Sequence, residues 1–311
     1  MKICVTGATG TIGRPLVGAL LARGDEVTVL SRDPDRARSA LGGVEAIAWR
    51  EPTREPAPAG ALAGRDAVIH LLGEPVAQRW SARVKRAIRD SRTLGTRNLV
   101  EGLRVAAPRP TTLVSQSATG WYGSRSDERL DESEPAGSGF LAQVCADWEA
   151  HARRAEQLGV RVVTCRTGVV LSREGGALER MLPPFRLGVG GPIAGGRQYV
   201  PWIHLDDVVA ALLFCLDHEG AAGPVNVTAP EPATNRDLSR TLGRVLRRPA
   251  IAPVPALALR ALYGEMVSIL TDSQRALPRR LEQLGYRFRQ PDLEPALRSA
   301  TGRAGAERRG A

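Results

Sequence analysis

Several features are scarce in this chain of 311 residues, and each scarcity excludes a class of protein. No apolar run approaches the roughly 18 residues that a membrane-spanning helix needs, so we expect no transmembrane segment. The first residues lead directly into a strand-like run, without the charged region, apolar region and cleavage site of a secretory signal. The 4 cysteines are scattered, with neither metal-ligand spacing nor a disulfide pattern. We therefore expect reduced thiols, no metal site and a cytoplasmic protein.

Lysine is rare as well, with only Lys2 and Lys85, so arginine supplies most of the 43 basic residues and the net charge of +10. The arginines are dispersed along the chain, which argues against nucleic-acid binding and favours a basic pocket for phosphate groups. Residues 301–311 are locally basic and are predicted to form a flexible tail. We expect a small-molecule substrate, and neither a nucleic acid nor a membrane as partner.

Strand-like and helical patterns alternate over the first 165 residues of the chain. The predicted strands are Lys2 to Thr6, Glu26 to Leu30, Ala67 to Leu72, Thr112 to Ser117 and Val160 to Thr164. Apolar residues at helical spacing lie between them, and the longest such stretch runs from Ser81 to Val105. This alternation is typical of an α/β protein of the Rossmann type, in which helices cover both faces of a doubly wound parallel sheet.

A glycine triplet separates the first predicted strand from the first predicted helix, with the spacing G-x-x-G-x-x-G. Gly7 permits a tight turn, Gly10 lets the backbone approach a pyrophosphate, and Gly13 lets the helix pack closely on the strand. The N-terminus of the helix adds N–H donors and a partial positive charge. Cofactor contacts are predicted for Gly7, Thr9, Gly10, Thr11, Ile12 and Gly13.

The end of the second predicted strand distinguishes NADP from NAD. A site that prefers NAD usually carries Asp or Glu there to bind the ribose 2′-hydroxyl, whereas this chain has Ser31 and Arg32, with Asp33 only afterwards. An arginine would pair with the 2′-phosphate of NADP, so we predict NADP as cofactor, with contacts from Ser31 and Arg32. The alternative is NAD, with Arg32 as a solvated loop residue.

The pattern changes after residue 165, which defines the predicted domains. Residues 1–165 are predicted to form the NADP-binding Rossmann domain, to which residues 196–230 return. Residues 166–195 and 231–300 are predicted to form a smaller, partly discontinuous C-terminal substrate lobe that ends in a helical domain. Predicted helices in this half are Leu205 to Leu216, Leu257 to Leu270 and Ser273 to Leu284.

Further motifs extend over nearly the whole chain, among them HLLGEPV, SRTLGTRNLV, SQSATGWYG, FLAQVCADWEA, CRTGVVLSREGGAL, GGRQYVPWIHLDD and LPRRLEQLGYRF. Together with the glycine spacing, they resemble the extended short-chain dehydrogenase/reductases, on the side of the sugar-nucleotide epimerases. More specifically, they resemble an atypical branch labelled "epimerase family protein", which carries a small C-terminal domain of unknown function. The resemblance implies a nucleotide cofactor and, since extended relatives often pair, a homodimer.

The resemblance also implies further contacts with the cofactor. The turn after the predicted strand that ends at Leu72 reaches the ribose and the nicotinamide in the family, and the segment after Thr164 passes near the nicotinamide. The strand before Ser117 and the helix that carries the family's Asn also contribute contacts in the family. The contacts implied by all these positions are Leu71, Leu72, Gly73, Arg92, Ser115, Gln116, Arg166, Gly168 and Val169.

Catalysis in this superfamily uses a Tyr for proton transfer, a Lys four residues later, a Ser or Thr, and an Asn. Ser117 matches the Ser of that scheme. Glu149 matches the Glu that usually follows the Lys, and counting back from it places Cys145 at the Lys and Leu141 at the Tyr. Arg92 stands where the Asn is usual. The familiar hydride-transfer machinery is therefore incomplete.

A substitute proton donor is predicted among the remaining side chains. We take Ser117, Tyr122, Arg92 and Tyr199 as the catalytic candidates, while His204, Asp147, Glu74 and Cys145 are other groups that could titrate or donate. Arg92 could fix a carboxylate or phosphate of the substrate or the nicotinamide carboxamide, or instead form an ion pair with Glu74 or Asp147.

Two functional hypotheses follow from the incomplete machinery. In the first, the protein is an NADP(H)-dependent oxidoreductase or epimerase-like enzyme with a non-standard proton donor and a small or nucleotide-like substrate. In the second, it is a catalytically inactive NADP-binding sensor or scaffold. A non-redox isomerase or lyase on the same fold is a third alternative, because the fold does not determine the reaction.

Overall fold

A computed structural model describes residues 1–302 of the chain. Its strands are β1 Lys2–Thr6, β2 Glu26–Ser31, β3 Glu45–Ala48, β4 Ala67–His70, β5 Thr112–Ala118, β6 Arg129–Leu130, β7 Arg161–Thr167, β8 Val169–Leu171, β9 Tyr199–Val200, β10 Trp202–His204, β11 Gly223–Val227, β12 Ala233–Thr234 and β13 Arg275–Ala276. Its α-helices are α1 Gly13–Ala22, α2 Pro34–Ala40, α3 Ala59–Leu62, α4 Ala82–Val105, α5 Phe140–Arg153, α6 Gly176–Arg186, α7 Leu205–Asp217, α8 Asn235–Leu246, α9 Ala256–Tyr263, α10 Ser268–Thr271, α11 Arg279–Gln283 and α12 Leu293–Ala300.

The central sheet has 7 strands in the order β11-β7-β5-β4-β1-β2-β3. Every neighbouring pair is parallel. The strands are apolar and mostly buried, as in β4, all of whose residues are buried. The strand order reverses direction between β1 and β4, and ligands bind at this kind of switch point in open α/β sheets, beyond the carboxyl ends of the strands.

Helices cover both faces of the sheet, as the alternation in the sequence predicts. On one face, Leu16 and Leu20 of α1 pack in the same apolar cluster as Leu212 of α7. On the other face, Leu62 of α3 and Leu99 of α4 pack against the same strands. The predicted fold class, a doubly wound parallel sheet of the Rossmann type, is confirmed.

A smaller third cluster lies beyond the main sheet and joins helices that are distant in sequence. It contains Leu182 of α6, Leu242 of α8 and Leu297 of α12, together with Trp202 of β10. Three separate two-stranded sheets lie outside the main sheet: β8 with β10, β9 with β12, and β6 with β13. The predicted tail lies outside the described residues from position 303 onward.

The structure corrects several predicted elements of the second half. The stretch from 175 to 196 is rich in Gly and Pro and predicts no helix, yet α6 forms there because its apolar side chains are buried in the third cluster. The predicted helix from Leu257 to Leu270 is interrupted, since Gly264 adopts φ +64° after α9. The predicted helix from Ser273 to Leu284 is wrong over its first half, where β13 pairs with β6.

Candidate cofactor-binding and active site

The glycine loop lies at the switch point of the sheet, directly after β1. Gly7 has φ +67°, and a Cβ atom there would lie 2.5 Å from the carbonyl oxygen of Leu71, the residue that follows β4. A Cβ atom on Gly13 would overlap the Gly7 carbonyl. The loop closes through a hydrogen bond from the Gly10 N–H to the Gly7 carbonyl at 3.1 Å. The predicted contacts Gly7 and Leu71 are thus neighbours in space, and only glycine fits the first of them.

The N-terminus of α1 behind this loop is left open to an anion. No side chain caps it, and its first turn carries no acidic residue, whereas α2, α4 and α8 are each capped by a side chain. Arg14 donates from Nε to the Thr9 carbonyl at 3.0 Å, which holds its guanidinium on the loop. An uncapped helix N-terminus beside an arginine suits the pyrophosphate of a dinucleotide.

A cavity of about 520 Å³ opens over the glycine loop. Thr9, Gly10, Thr11 and Arg14 form one wall, and residues 172–175 face them from the segment between β8 and α6. The two walls touch, because a Cβ atom on Gly175 would lie 2.5 Å from the Thr11 hydroxyl. The start of α7, with His204 and Asp206, and the end of α12, with Ser299 and Ala300, also line the cavity.

His70 at the end of β4 is a site residue that the sequence prediction of cofactor contacts omits. Its ring hydrogen-bonds through Nδ1 to the Thr6 hydroxyl at 2.8 Å and through Nε2 to the Thr96 hydroxyl at 3.0 Å. The Thr6 hydroxyl also accepts from the Leu71 N–H at 3.2 Å. Burial lowers the pKa of His70 to about 3, so the ring is neutral. Its two hydrogen bonds join β1, β4 and α4 next to the glycine loop, which together with the N-terminus of α1 we call the cofactor cradle.

The end of β2 presents an arginine whose neighbouring carboxylate, Asp33, caps a helix. The Asp33 carboxylate accepts from the Arg36 N–H at 3.0 Å and caps α2, and Ser31 Oγ donates to the Asp33 carbonyl at 2.9 Å. Arg32 is exposed, and its guanidinium makes no hydrogen bond or ion pair with residues 1–302. The Asp33 carboxylate is therefore already hydrogen-bonded within the protein, while the Arg32 guanidinium has no partner among residues 1–302.

Ser117 and Arg166 both bind Glu149, which is buried at the carboxyl end of the sheet. Ser117 Oγ donates to Glu149 Oε1 at 2.7 Å. Arg166 forms a two-point ion pair with the same carboxylate, from Nε to Oε1 at 2.9 Å and from Nη2 to Oε2 at 3.1 Å. The Glu149 and Arg166 side chains are each 3% exposed. The Ser117 hydroxyl and the Arg166 guanidinium are therefore occupied within the protein.

Tyr122 belongs to the same buried cluster. Its hydroxyl donates to Asn226 Oδ1 at 2.7 Å or to the Asp131 carbonyl at 2.9 Å, and it accepts from Arg166 Nη1 at 3.2 Å. The side chain is fully buried, and burial raises the pKa of Tyr122 to about 12. The structure thus gives Tyr122 internal partners on every side, and its hydroxyl does not face solvent.

Leu141 and Cys145 occupy the first two turns of α5, against the turn that follows β5. A Cβ atom on Gly120 in that turn would lie 3.3 Å from Leu141 Cβ and 3.6 Å from Cys145 Sγ. Burial and then the Glu149 charge raise the pKa of the Cys145 thiol to about 12, while Arg92 acts in the opposite direction. Cys145 is therefore a buried neutral thiol.

Arg92 extends from α4 towards Cys145 and Trp148 of α5. Its Nη1 donates to the backbone carbonyls of Glu74 at 2.9 Å and Ile88 at 3.1 Å, and its Cζ lies 5.1 Å from the ring centroid of Trp148. The guanidinium packs over Gly73, 3.1 Å from the position of a Cβ atom there. It binds the main chain of Glu74 and forms no ion pair with a carboxylate of residues 1–302. Its Nε and Nη2 find no partner in that part of the chain.

The other predicted residues lie in three places. Ser115 and Gln116 lie on β5, where Gln116 Oε1 is buried without a hydrogen-bond partner in the described chain. The Gly168 and Val169 N–H groups donate to the carbonyls of Val227 and Pro201, so both are used within the protein. The Tyr199 ring lies 4.9 Å from Arg275 Cζ.

Leu72 and His204 each make a contact that fixes an element next to the site. Leu72 packs on Gly95 of α4, with its Cδ2 2.8 Å from the position of a Cβ atom there. His204 caps α7 by accepting the Asp206 N–H at 3.2 Å. Burial lowers the pKa of His204, which keeps the ring neutral in this cap.

Comparison of the sequence with known protein families identifies the family of this chain. The sequence model of the NAD dependent epimerase/dehydratase family matches residues 3–228, well over half of the chain. The chain belongs to this family. A second sequence model, described as a domain of unknown function (DUF1731), matches residues 254–300. The resemblance to the epimerase family branch with a C-terminal domain of unknown function is thereby confirmed.

Relatives and solved structures agree with this assignment. The chain is 42% identical over 305 residues to the epimerase family protein Mb2239 of Mycobacterium bovis, covering 97% of this chain and 98% of the relative. It is 39% identical over 309 residues to the chloroplastic SDR39U1 homolog of Arabidopsis thaliana, covering 96% of this chain and 86% of the relative. The crystal structure of human epimerase family protein SDR39U1 (isoform 2) with NADPH aligns with a TM-score of 0.86 at 34% identity, over 97% of this chain and 99% of that one.

A more distant structure shows the shared fold alone. The UDP-glucuronic acid 4-epimerase of Bacillus cereus in complex with NAD aligns with a TM-score of 0.77 at 17% identity, over 100% of this chain and 99% of that one. Within residues 1–302, no helix combines the length and apolar character that crossing a bilayer requires. The compartment stays a prediction, since one relative carries the name chloroplastic.

Proposed function

We propose that this protein is an NADP(H)-dependent oxidoreductase or epimerase-like enzyme that acts on a small molecule without the usual Tyr and Lys. The observation that carries the choice of cofactor is the free, exposed guanidinium of Arg32 at the end of β2, beside a carboxylate that is already committed to a helix cap. A 2′-phosphate would meet a cation there, and the adjacent Asp33 carboxylate is held by the N-terminus of α2. The NADPH in the human relative's structure supports the same choice.

The residues of the cradle fit such a cofactor. The glycine loop and the uncapped N-terminus of α1 would hold the pyrophosphate, with Arg14 as a nearby cation. When bound, NADP(H) supplies hydride transfer at its nicotinamide.

In this proposal Arg92, and not Tyr122, is the residue that acts on the substrate. Tyr122 has internal partners and a raised pKa, so it is a poor donor at neutral pH. Arg92 places a cation beside Cys145, the position of the family's Lys, and keeps Nε and Nη2 free. We infer that Arg92 binds and polarises a substrate oxygen, as an electrostatic stabiliser of developing negative charge. A solvent-derived proton then completes the reaction.

Cofactor titration tests the proposal. NADPH and NADH are titrated into the wild-type protein and into Arg32→Ala, with Arg240→Ala as a control, because Arg240 is an exposed arginine on α8 outside the site. Loss of one charge-assisted contact should weaken NADPH binding about 10- to 100-fold and leave NADH nearly unchanged. Equal affinity of the wild-type protein for both cofactors would refute the choice of NADP.

Turnover separates the enzyme from the inactive alternative. NADPH oxidation is followed against a panel of aldehydes, ketones and sugar derivatives. The absence of Tyr and Lys at positions 141 and 145 is what favours a sensor or scaffold. Tight NADPH binding with no oxidation by any member of the panel would support that alternative, and oxidation by at least one supports the enzyme.

A further inference from the structure

A second concave surface lies outside the cofactor cradle, between the N-termini of α4 and α5 and the turn after α9. It is a groove of about 490 Å³. We call it the α4 groove and define it by Trp80, Lys85, Arg86, Arg89, Phe140 and Glu265. None of these residues takes part in the cradle described above.

The charge of the α4 groove is strongly one-sided. Three cations line it, and Glu265 is its one carboxylate among the lining residues. Lys85 Nζ lies 2.7 Å from Glu265 Oε2, which neutralises one of the three. Arg86 is exposed and forms no ion pair with residues 1–302, and Arg89 has only Asp90, at 3.9 Å. Two guanidiniums therefore remain for a ligand, which suits a dianion.

The remaining wall of the α4 groove is aromatic and held in place. The rings of Trp80 and Phe140 meet edge to face, with centroids 5.1 Å apart. Trp80 Nε1 donates to the Val76 carbonyl at 2.9 Å, and Lys85 Nζ lies 4.9 Å from the Phe140 centroid. Both rings are half-buried, so part of each remains accessible. A flat ring on the ligand would pack against them.

The position of the groove connects it with the proposed reaction site. Lys85, Arg89 and Arg92 follow at helical spacing along one face of α4. At a rise of 1.5 Å per residue, Lys85 and Arg92 are about 10 Å apart along the axis. Phe140 directly precedes Leu141, the residue at the position of the family's Tyr. The same two helices thus form the wall of the α4 groove and the surroundings of Arg92.

We propose that the α4 groove binds the phosphate end of the substrate, and that the substrate is an organic phosphate monoester carrying a flat ring. Arg86 and Arg89 bind the phosphate and the ring packs on Trp80 and Phe140. The part that reaches Arg92 then spans about 5 Å along α4 from Arg89, or about 9 Å from Arg86. This inference rests on the proposed function, because it needs Arg92 to face the reacting group.

Calorimetric titration of the full chain tests the groove, with phenyl phosphate as the probe. Saturating NADP⁺ is present throughout, so that the probe cannot occupy the glycine loop. The double variant Arg86→Ala/Arg89→Ala should bind the probe at least about tenfold more weakly. The control Arg83→Ala removes an exposed arginine of the same helix outside the groove, and its Kd should stay within about twofold of wild type.

Further probes resolve the two parts of the ligand. Trp80→Ala should weaken phenyl phosphate and leave inorganic phosphate unchanged, and benzoate should bind more weakly than phenyl phosphate because it carries one charge. Unchanged affinity in the double variant, or an equal loss in Arg83→Ala, would overturn the inference. If NADPH binds and phenyl phosphate does not, only the groove inference fails. If NADPH does not bind, the proposed function fails whatever the groove does.

Discussion

Replacing Glu149 by glutamine tests whether the cluster around Ser117 is structural. The Glu149 carboxylate accepts hydrogen bonds from Ser117 Oγ at 2.7 Å and from Arg166 at 2.9 and 3.1 Å, with both charged side chains 3% exposed. Glutamine retains the shape but leaves the guanidinium without its counter-charge in the interior. Removal of one partner of a buried ion pair costs about 3–5 kcal/mol, so we expect a loss of that size in the free energy of unfolding.

Urea denaturation followed by tryptophan fluorescence measures this loss directly. For a protein of this size the unfolding entropy scales to about 0.6 kcal/mol per degree, so the same loss lowers Tm by roughly 5–8 °C. Ser117→Ala keeps the ion pair and removes one hydrogen bond to a charged group, so it should cost less, about 1.5–3 kcal/mol. A Glu149→Gln protein within about 1 kcal/mol of wild type, with loss of turnover instead, would refute the structural reasoning.

The remaining predictions concern Arg92 and His70. Arg92→Gln should lower turnover about 100-fold or more while NADPH affinity changes less than about threefold, because the guanidinium stabilises charge in the reaction; an equal loss in both would place Arg92 at the cofactor instead. The folded-state pKa of His70, about 3, lies below its ordinary 6.5, so its stabilising contribution is complete above pH 6.5 and is lost as pH falls towards 3, by about 1.4 kcal/mol per pH unit. Unfolding free energies measured between pH 6 and 4.5 should therefore fall more steeply for wild type than for His70→Gln, and parallel curves would contradict this origin.

The sheet and its cofactor cradle follow from local signals in the sequence. The alternation of β-branched runs with helical spacing predicts the parallel sheet, because each segment must bury one face or both against its neighbours. The spacing of Gly7, Gly10 and Gly13 predicts the turn at its switch point, where the structure leaves no room for a Cβ atom at Gly7. These features depend on residues close together in the chain.

The roles of Ser117, Tyr122 and Arg166 could not be deduced in the same way. Their partners lie far off in sequence: Glu149 is 32 residues from Ser117, and Asn226 is 104 residues from Tyr122. One signal was present, since Arg166 ends the otherwise apolar run VVTC and a charge in a buried strand needs a counter-charge. The cofactor contact that the family resemblance implies for Arg166 stays a prediction, and the structure adds the ion pair with Glu149.

The α4 groove is predictable from the sequence only in part. Its cations, Lys85, Arg86 and Arg89, are visible in the sequence as part of a solvated, basic helix. Only the fold brings Phe140 and Glu265 against that helix. The helical pattern predicts on which face of the helix a residue lies. It does not predict which residues from distant parts of the chain pack against that face.

A structure of the complex with NADP⁺ tests the central claim most directly. The account predicts that the 2′-phosphate lies within hydrogen-bond distance of the Arg32 guanidinium, and that the nicotinamide lies against the wall formed by Arg92 and Cys145. A complex in which Arg32 stays in solvent while the adenosine ribose is bound by a carboxylate, or in which the nicotinamide lies away from Arg92, would contradict it.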